Sequence, residues 1–437
     1  MAIASDLQSE LNHLRESHPL LRASDFAVRA AQQRENAAKA GWLPQVNLTM
    51  DGGSEKITTT NYNGSVPGDP ATTDLNRRKN GITIEQNLYN GGLTTATVNM
   101  AGLAHEIKRV EYSATSQDVL LEAVVSYLQV LKGQILIKLA AYNEETTKKQ
   151  LDLESMRVAK GGGIIVDEMQ ASTRLQIVRE RRVVYEQDIR DALTTYEQVF
   201  GKAPDMSKFQ DLDVFTARMP KTLDEAIDMA IQSNPRLAAA KLAVSKAQES
   251  IAVEKAGYLP TVDLSLTHNR DKNAAGLYKK DENTALLSLS WNLVGGVQAS
   301  SLSKAAAFDQ MEAAELEANA QRKVLESVRM SWNQYQKGVE RVALLDAATK
   351  SARTVMNGRK RLRDSGKETA LAVLDAEVEF FGILANKVNA MIEARIGSYR
   401  LLSAIGLLNI KELSLDAGQL ELPLRSIDAA ISELVEK

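Results

Sequence analysis

Ala40-Gly-Trp-Leu-Pro44 and Ala256-Gly-Tyr-Leu-Pro260 are one phrase written twice, 216 positions apart. Each copy closes a helical pattern and opens a strand pattern. A unit repeated at a fixed distance constrains the architecture before any local detail does. The echo spreads outward from the phrase. Upstream, Ser17-His18-Pro19 answers Ser233-Asn234-Pro235; downstream, Val46-Asn-Leu-Thr49 answers Val262-Asp-Leu-Ser265. Past the next loop the offset falls to 205. Asn87-Leu88 pairs with Asn292-Leu293, Lys132-Gly133 with Lys337-Gly338, Gly161 with Gly366 and Gly201 with Gly406. A duplication accounts for both offsets if one hairpin loop is 11 residues shorter in the second copy. The halves are expected at 1–216 and 217–421.

The first half predicts a helix over 7–40, broken near Pro19 because proline removes a backbone donor and clashes with the preceding turn. Val46, Leu48 and Met50 then alternate with Asn47, Thr49 and Asp51, the period of two of a strand with one apolar and one polar face. Residues 52–79 are rich in Gly, Asn, Thr, Ser and Asp and are expected to form a long polar loop. Ile82, Ile84 and Leu88 mark a returning strand, so the hairpin occupies about 45–90. No proline interrupts 93–157. There Leu103, Ile107, Val110, Ala114, Gln117, Leu121, Val124, Leu128, Leu131 and Ile135 step by threes and fours. That heptad-like series predicts a long helix over about 93–158 with a helical partner. Gly161-Gly162-Gly163 ends it, and a second helix follows at about 165–200. The second half repeats these events: a hairpin at about 261–294 around a shorter polar loop containing Asp271, Lys272, Asn273 and Gly276, then helices at about 297–362 and 369–408.

Composition excludes several classes. The net charge of −3 offers no basic footprint for nucleic acid. There are no cysteines, hence no disulfide, thiol catalysis or cysteine metal site. His13, His18, His105 and His268 are scattered and form no metalloprotease motif. Gly366-Lys367 lacks the spacing of a phosphate-binding loop, and Gly161-Gly162-Gly163 follows a helix rather than a strand. No catalytic residue, cofactor or metal site is expected, and the chain does not read as an enzyme. No run of apolar residues reads as a transmembrane helix, whereas the alternating strands leave a membrane barrel open. Four strands with one polar and one apolar face cannot enclose a channel, and open edges are not tolerated in a bilayer. Three copies would supply 12 strands, an even number that closes.

The chain resembles the TolC family of outer-membrane channel-tunnels. The resemblance rests on the doubled Ala-Gly-x-Leu-Pro phrase, Leu88-Tyr-Asn-Gly-Gly92 after the first hairpin, and the helix break at Ser365-Gly366. Leu374-Asp375-Ala376 and the ending Ala404-Ile-Gly-Leu-Leu-Asn409 complete it. It implies an α+β membrane protein of the bacterial outer membrane, extending into the periplasm. The implied assembly is a homotrimer with a 12-stranded transmembrane β-barrel and a coiled-coil helical tunnel. Segments 203–222 and 409–437 would be peripheral, equatorial pieces. The implied partners are the lipid bilayer, a periplasmic adaptor protein and an inner-membrane ABC transporter or other pump.

The resemblance also carries site residues. The family narrows its tunnel mouth with a pair of aspartates; here the matching positions are Ala372 and Asp375, so only Asp375 would form a constriction. Asp167 matches an aspartate that latches neighbouring helix pairs. Its usual basic partner falls at Glu368, which leaves Arg363 or Lys367 as substitutes. Lys160-Gly161-Gly162 and Ser365-Gly366-Lys367 match the adaptor-docking tips. Trp42, Tyr89, Tyr258 and Trp291 sit near strand ends, where amphipathic rings favour a membrane interface and where ordinary packing would serve equally. The expected function is a passive export duct, for type I protein secretion first and multidrug efflux second. The competing class is a soluble coiled-coil scaffold, which has no use for two-faced strand pairs.

Overall fold

The computed structural model describes residues 4–63, 66–206, 219–274, 277–293 and 296–409. Most of the expected peripheral segments, 207–218 and 410–437, therefore lie outside the described residues. The elements run in order as helices α1 (Ala4–Ser17) and α2 (Pro19–Lys39), then strands β1 (Gln45–Thr59), β2 (Tyr62–Asn63), β3 (Val66–Pro67) and β4 (Ala71–Tyr89). Helices α3 (Leu93–Ala159), α4 (Ile165–Phe200), α5 (Leu223–Ser233) and α6 (Pro235–Ala256) follow. Strands β5 (Thr261–Ala274) and β6 (Leu277–Ser290) and helices α7 (Gly296–Asp364) and α8 (Ala370–Ile405) complete the chain. At 1.5 Å per residue, the 67-residue α3 and 69-residue α7 are each about 100 Å long.

Two compact units emerge, and each draws on both halves of the sequence. One comprises residues 1–26, 110–238 and 319–437; the other comprises 27–109 and 239–318. The first unit is helical. Its core joins Val124, Leu128 and Val130 of α3, Tyr196 and Val199 of α4, Val328 of α7, and Phe380, Val388 and Leu401 of α8. A stretch of α3 is apolar enough to cross a bilayer on composition alone. Its central residues are buried in this core, so it packs as a core helix. The duplication survives in this packing. A Cβ on Gly133 would stand 2.9 Å from the Ile189 Cβ, and one on Gly338 would stand 3.1 Å from Ala394. Both glycines let a long helix approach its successor closely, at positions one repeat apart.

Asp346 joins α7 to α8. It accepts from Lys387 Nζ at 2.7 Å and lies 2.9 Å from Lys350 Nζ. The hydrogen bonds from Lys387 and then Lys350 hold its carboxyl below the usual carboxylate range. A carboxyl depressed in the folded state adds stability above its unfolded pKa of about 3.9, and that stability is lost as pH falls through the folded value. Asp346→Asn should cost about 1 kcal/mol at neutral pH, the screened worth of a partly exposed pair. It should also weaken the loss of thermal stability between neutral pH and pH below 4. Melting curves across that range test both.

The second unit carries one antiparallel four-stranded sheet, in the order β1-β4-β5-β6. Its strands are longer than the hairpins expected from sequence. β1 runs to Thr59 and β4 starts at Ala71, so most of the expected loop 52–79 is paired strand. Likewise, Asp271, Lys272 and Asn273 of the expected second loop lie within β5, while its Gly276 lies outside the described residues. Polar cross-strand bonds explain the difference. Arg77 donates to both Asp51 carboxylate oxygens at 3.2 and 3.1 Å, Ser54 donates to Asp74 at 3.1 Å, and Thr58 and Thr72 share a bond of 3.0 Å. Such pairs stabilise a ladder without apolar alternation.

Candidate functional site

Register sorts the sheet into two chemically distinct faces. Val46, Ile84, Leu266 and Ala285 form one cross-strand row, and Leu48 and Ile82 lie two residues along on the same face. The opposite face carries the row Asn47, Thr83, Thr267 and Thr284. On β5, Leu266, His268, Arg270 and Lys272 are exposed, while Ser265, Thr267, Asn269 and Asp271 are half-buried. The apolar face is thus the more exposed, outer one and the polar face is the more enclosed, inner one. Gly81 sits on the inner side because Thr49 and Asn269 lean over it; a Cβ there would meet the Thr49 hydroxyl at 2.8 Å. β1 and β6 form the two edges and, within this alternating order, run in opposite directions.

All four candidate interface aromatics gather at the end of the sheet that adjoins the helices. Trp42 lies just before β1, Tyr89 ends β4, Tyr258 precedes β5 and Trp291 follows β6. Trp42 and Trp291 are more than half exposed. Trp291 Nε1 donates to the Tyr258 carbonyl at 3.1 Å, and Gln86 donates to the Trp42 carbonyl at 3.3 Å. These bonds tie the two copies of the aromatic phrase to their hairpins.

In the helical unit the two tips share one backbone device. Gly161 has φ +75° and Gly366 has φ +74°. At the first tip, Gly162 N–H donates to the Arg157 carbonyl at 3.0 Å and Gly161 N–H to the Val158 carbonyl at 3.0 Å. At the second, Lys367 and Gly366 bond to Leu362 and Arg363 at 2.9 and 2.8 Å. This is the Schellman closure of a helix, which needs a left-handed residue and so favours glycine. Lys160 and Ser365 precede the left-handed glycines. Ser365 donates its hydroxyl to the Leu362 carbonyl at 2.8 Å.

The tips differ in what they display. Ile164, Ile165, Val166 and Met169 are all about 60% exposed at the first. The second is polar, with Thr369 capping α8 by accepting from Ala372 N–H at 3.2 Å. The apolar patch escaped the sequence reading. The run Ile164-Ile165-Val166 opens α4 directly after the glycine turn.

Asp375 lies in the second turn of α8, about half exposed, and accepts from Arg174 Nη2 of α4 at 2.7 Å. The sequence reading did not foresee this partner, which stands 201 residues away. Asp167 lies in the first turn of α4, where a negative charge offsets the helix dipole. Within the chain its two proposed partners are not paired with it. Arg363 donates to Gln150 at 2.7 Å and to Asp364 at 2.8 Å, while Lys367 is exposed. Glu368 lies 3.7 Å from Arg359. Among the described residues no group of acids and histidines could hold a metal ion.

Known proteins resemble this chain in sequence and in fold. The chain is 25% identical over 426 residues to the outer membrane efflux protein BepC of Brucella suis biovar 1, covering 96% of this chain and 89% of BepC. It is 24% identical over 424 residues to the outer membrane protein TolC of Escherichia coli K12, covering 94% and 84%. The alkaline protease secretion protein AprF of Pseudomonas aeruginosa is 21% identical over 431 residues, covering 96% and 88%. The solved structure of the outer membrane protein VceC of Vibrio cholerae superposes with a TM-score of 0.78, at 16% identity over 92% of this chain and 96% of that one. The family described as Outer membrane efflux protein matches residues 11–202 and 226–407. With both sequence halves so matched, the chain belongs to the outer membrane efflux protein family, whose members are passive outer-membrane channels and not enzymes.

Proposed function

We propose that three copies of this chain form an export duct across the outer membrane and into the periplasm, with each copy supplying four strands of a 12-stranded barrel. The observation that carries this reading is a sheet with two open edges, one apolar and more exposed face, and one polar and more enclosed face. Because β1 and β6 run in opposite directions, β6 of one copy can pair antiparallel with β1 of the next, and repetition closes the wall. The helices offer a matching reason to assemble. Phe308, Met311, Met330 and Leu344 of α7 are each more than half exposed, and neighbouring copies would cover them.

The duct works with an energised partner. The apolar first tip, Ile164 to Val166 with Met169, suits a periplasmic adaptor, and the glycine-closed turns at 161 and 366 hold both tips in shape. An inner-membrane ABC transporter or other pump would supply the energy. Type I protein secretion is the preferred system, supported by the likeness to a protease secretion protein. Multidrug efflux is the second reading, favoured by the likeness to an efflux protein.

Three Asp375 carboxylates around one axis would favour cations at the tunnel mouth. The Arg174 guanidinium on each would offset that charge. Latching by Asp167 would then need a basic group on a neighbouring helix pair. Single-channel recording in planar bilayers tests the duct. The wild-type protein should give discrete conductance steps. Asp375→Asn should lower the cation preference and Arg174→Gln should raise it. A protein that gives no steps, or a selectivity indifferent to both changes, would contradict the respective part of the reading.

A further inference from the structure

We propose that the outer face of the sheet ends in a basic row that binds phosphate-bearing lipid headgroups of the outer leaflet. The inference rests on the barrel reading above and adds a lipid site to it. Arg78 of β4 stands directly opposite Lys272 of β5, and Lys272 stands directly opposite Lys279 of β6. Their positions have the same parity as Ile84, Leu266 and Ala285, so all three share the apolar face. Like charges directly opposite one another destabilise a sheet unless something neutralises them.

The neighbouring acids do not suffice. Asp281, on the same face, is shared between Lys279 at 2.8 Å and Arg270 at 3.6 Å. Asp74 lies four residues beyond Arg78 along β4 and accepts from Ser54. Among the described residues, neither Arg78 nor Lys272 has an ion-pair partner, and both are exposed. The inner face is built differently. There Arg77 is bound by Asp51 and Glu55, Lys79 lies 3.9 Å from Asp271, and Lys280 lies 2.8 Å from Glu282. Cations are thus matched where the wall faces water and left in excess where it faces lipid.

Height places the row at headgroup level. Ten residues of β5 separate Val262, beside the aromatic end, from Lys272. That is about 34 Å along the strand, or about 26 Å of height at a tilt of roughly 40°, close to the apolar band of about 25 Å on outer-membrane barrels. The aromatics bound the outer face at one end and the basic row bounds it at the other; between them the apolar rows give way, at His268 and Arg270 of β5, to exposed polar side chains on the same face. Strands about 4.8 Å apart spread the three cations over about 10 Å, room for a headgroup carrying more than one phosphate.

The experiment uses the purified full-length protein in nanodiscs of zwitterionic phosphatidylcholine, titrated with lipopolysaccharide and with its enzymatically dephosphorylated form. The wild type should insert, bind the phosphorylated lipid and lose that binding as salt rises. Affinity should fall about fivefold for each cation removed in Arg78→Gln, Lys272→Gln and their combination. Lys280→Gln, on the inner face, should bind as the wild type does. Equal binding of the dephosphorylated lipid, unchanged binding by the combined variant, or competition by inorganic phosphate at equal concentration would overturn the lipid site while leaving the channel reading intact. Failure of the wild type to insert into any bilayer would overturn both.

Discussion

Leu266→Arg should largely abolish assembly of the protein in the outer membrane, whereas Thr267→Arg one residue away should be tolerated. Leu266 sits between Ile84 and Ala285 on the exposed apolar face, between the aromatics and the basic row. A guanidinium at the midplane of a barrel's lipid face costs about 2–4 kcal/mol, and a trimer incurs that cost three times. Thr267 lies on the opposite, polar face beside Thr83 and Thr284, where an added charge meets water and alters selectivity rather than insertion. Membrane fractionation and resistance of the barrel to unfolding in detergent separate the two outcomes. Equal loss in both variants would mean that the faces do not divide as their register implies.

Lys360→Met should destabilise the helical unit by about 3 kcal/mol. Glu377 of α8 is 1% exposed, and Lys360 Nζ of α7 lies 2.9 Å from its Oε1. The ammonium approaches off the direction of a good hydrogen bond, so charge carries most of the contact. Removing it leaves a buried carboxylate uncompensated, which costs about 3–5 kcal/mol in buried pairs. The lower end applies here because Lys360 is 32% exposed. Lys360→Met with Glu377→Met should recover most of the loss, since an apolar pair of similar volume replaces both charges. Melting of single and double variants gives the comparison. A single variant as stable as the wild type would show that Glu377 does not rely on this partner. One repeat earlier the same positions are Ser155 and Ser172, so the buried pair belongs to the second half alone.

Much of the fold was legible because its signals are local. Gly161, Gly201, Gly366 and Gly406 recur at one offset, and each has positive φ at a helix end. The glycine a helix needs to stop in the left-handed conformation is visible in any sequence. Val46-Leu48-Met50 and Ile82-Ile84 announced strands by their alternation, and the absence of proline from 93 to 157 announced α3.

What failed depended on partners distant in sequence. The outer reach of β1 and β4 is held by Arg77 on Asp51 and Ser54 on Asp74, charges that read locally as a solvated loop. Lys272 read as loop for the same reason, and its place in a basic row emerges only from its register with Arg78 and Lys279. The Arg174 partner of Asp375 lies on another helix, with no spacing rule to point to it. The engagement of Arg363 with Gln150 was equally invisible, since it joins α3 to α7.

The central claim is that the two sheet edges meet only between copies of the chain. Light scattering with refractive-index detection on the detergent-solubilised protein measures the protein mass free of detergent. A mass close to three times 47.8 kDa is expected, together with sheet circular dichroism that disappears when the assembly is dissociated. A stable monomer of 47.8 kDa that keeps its sheet and still conducts ions would contradict the claim outright.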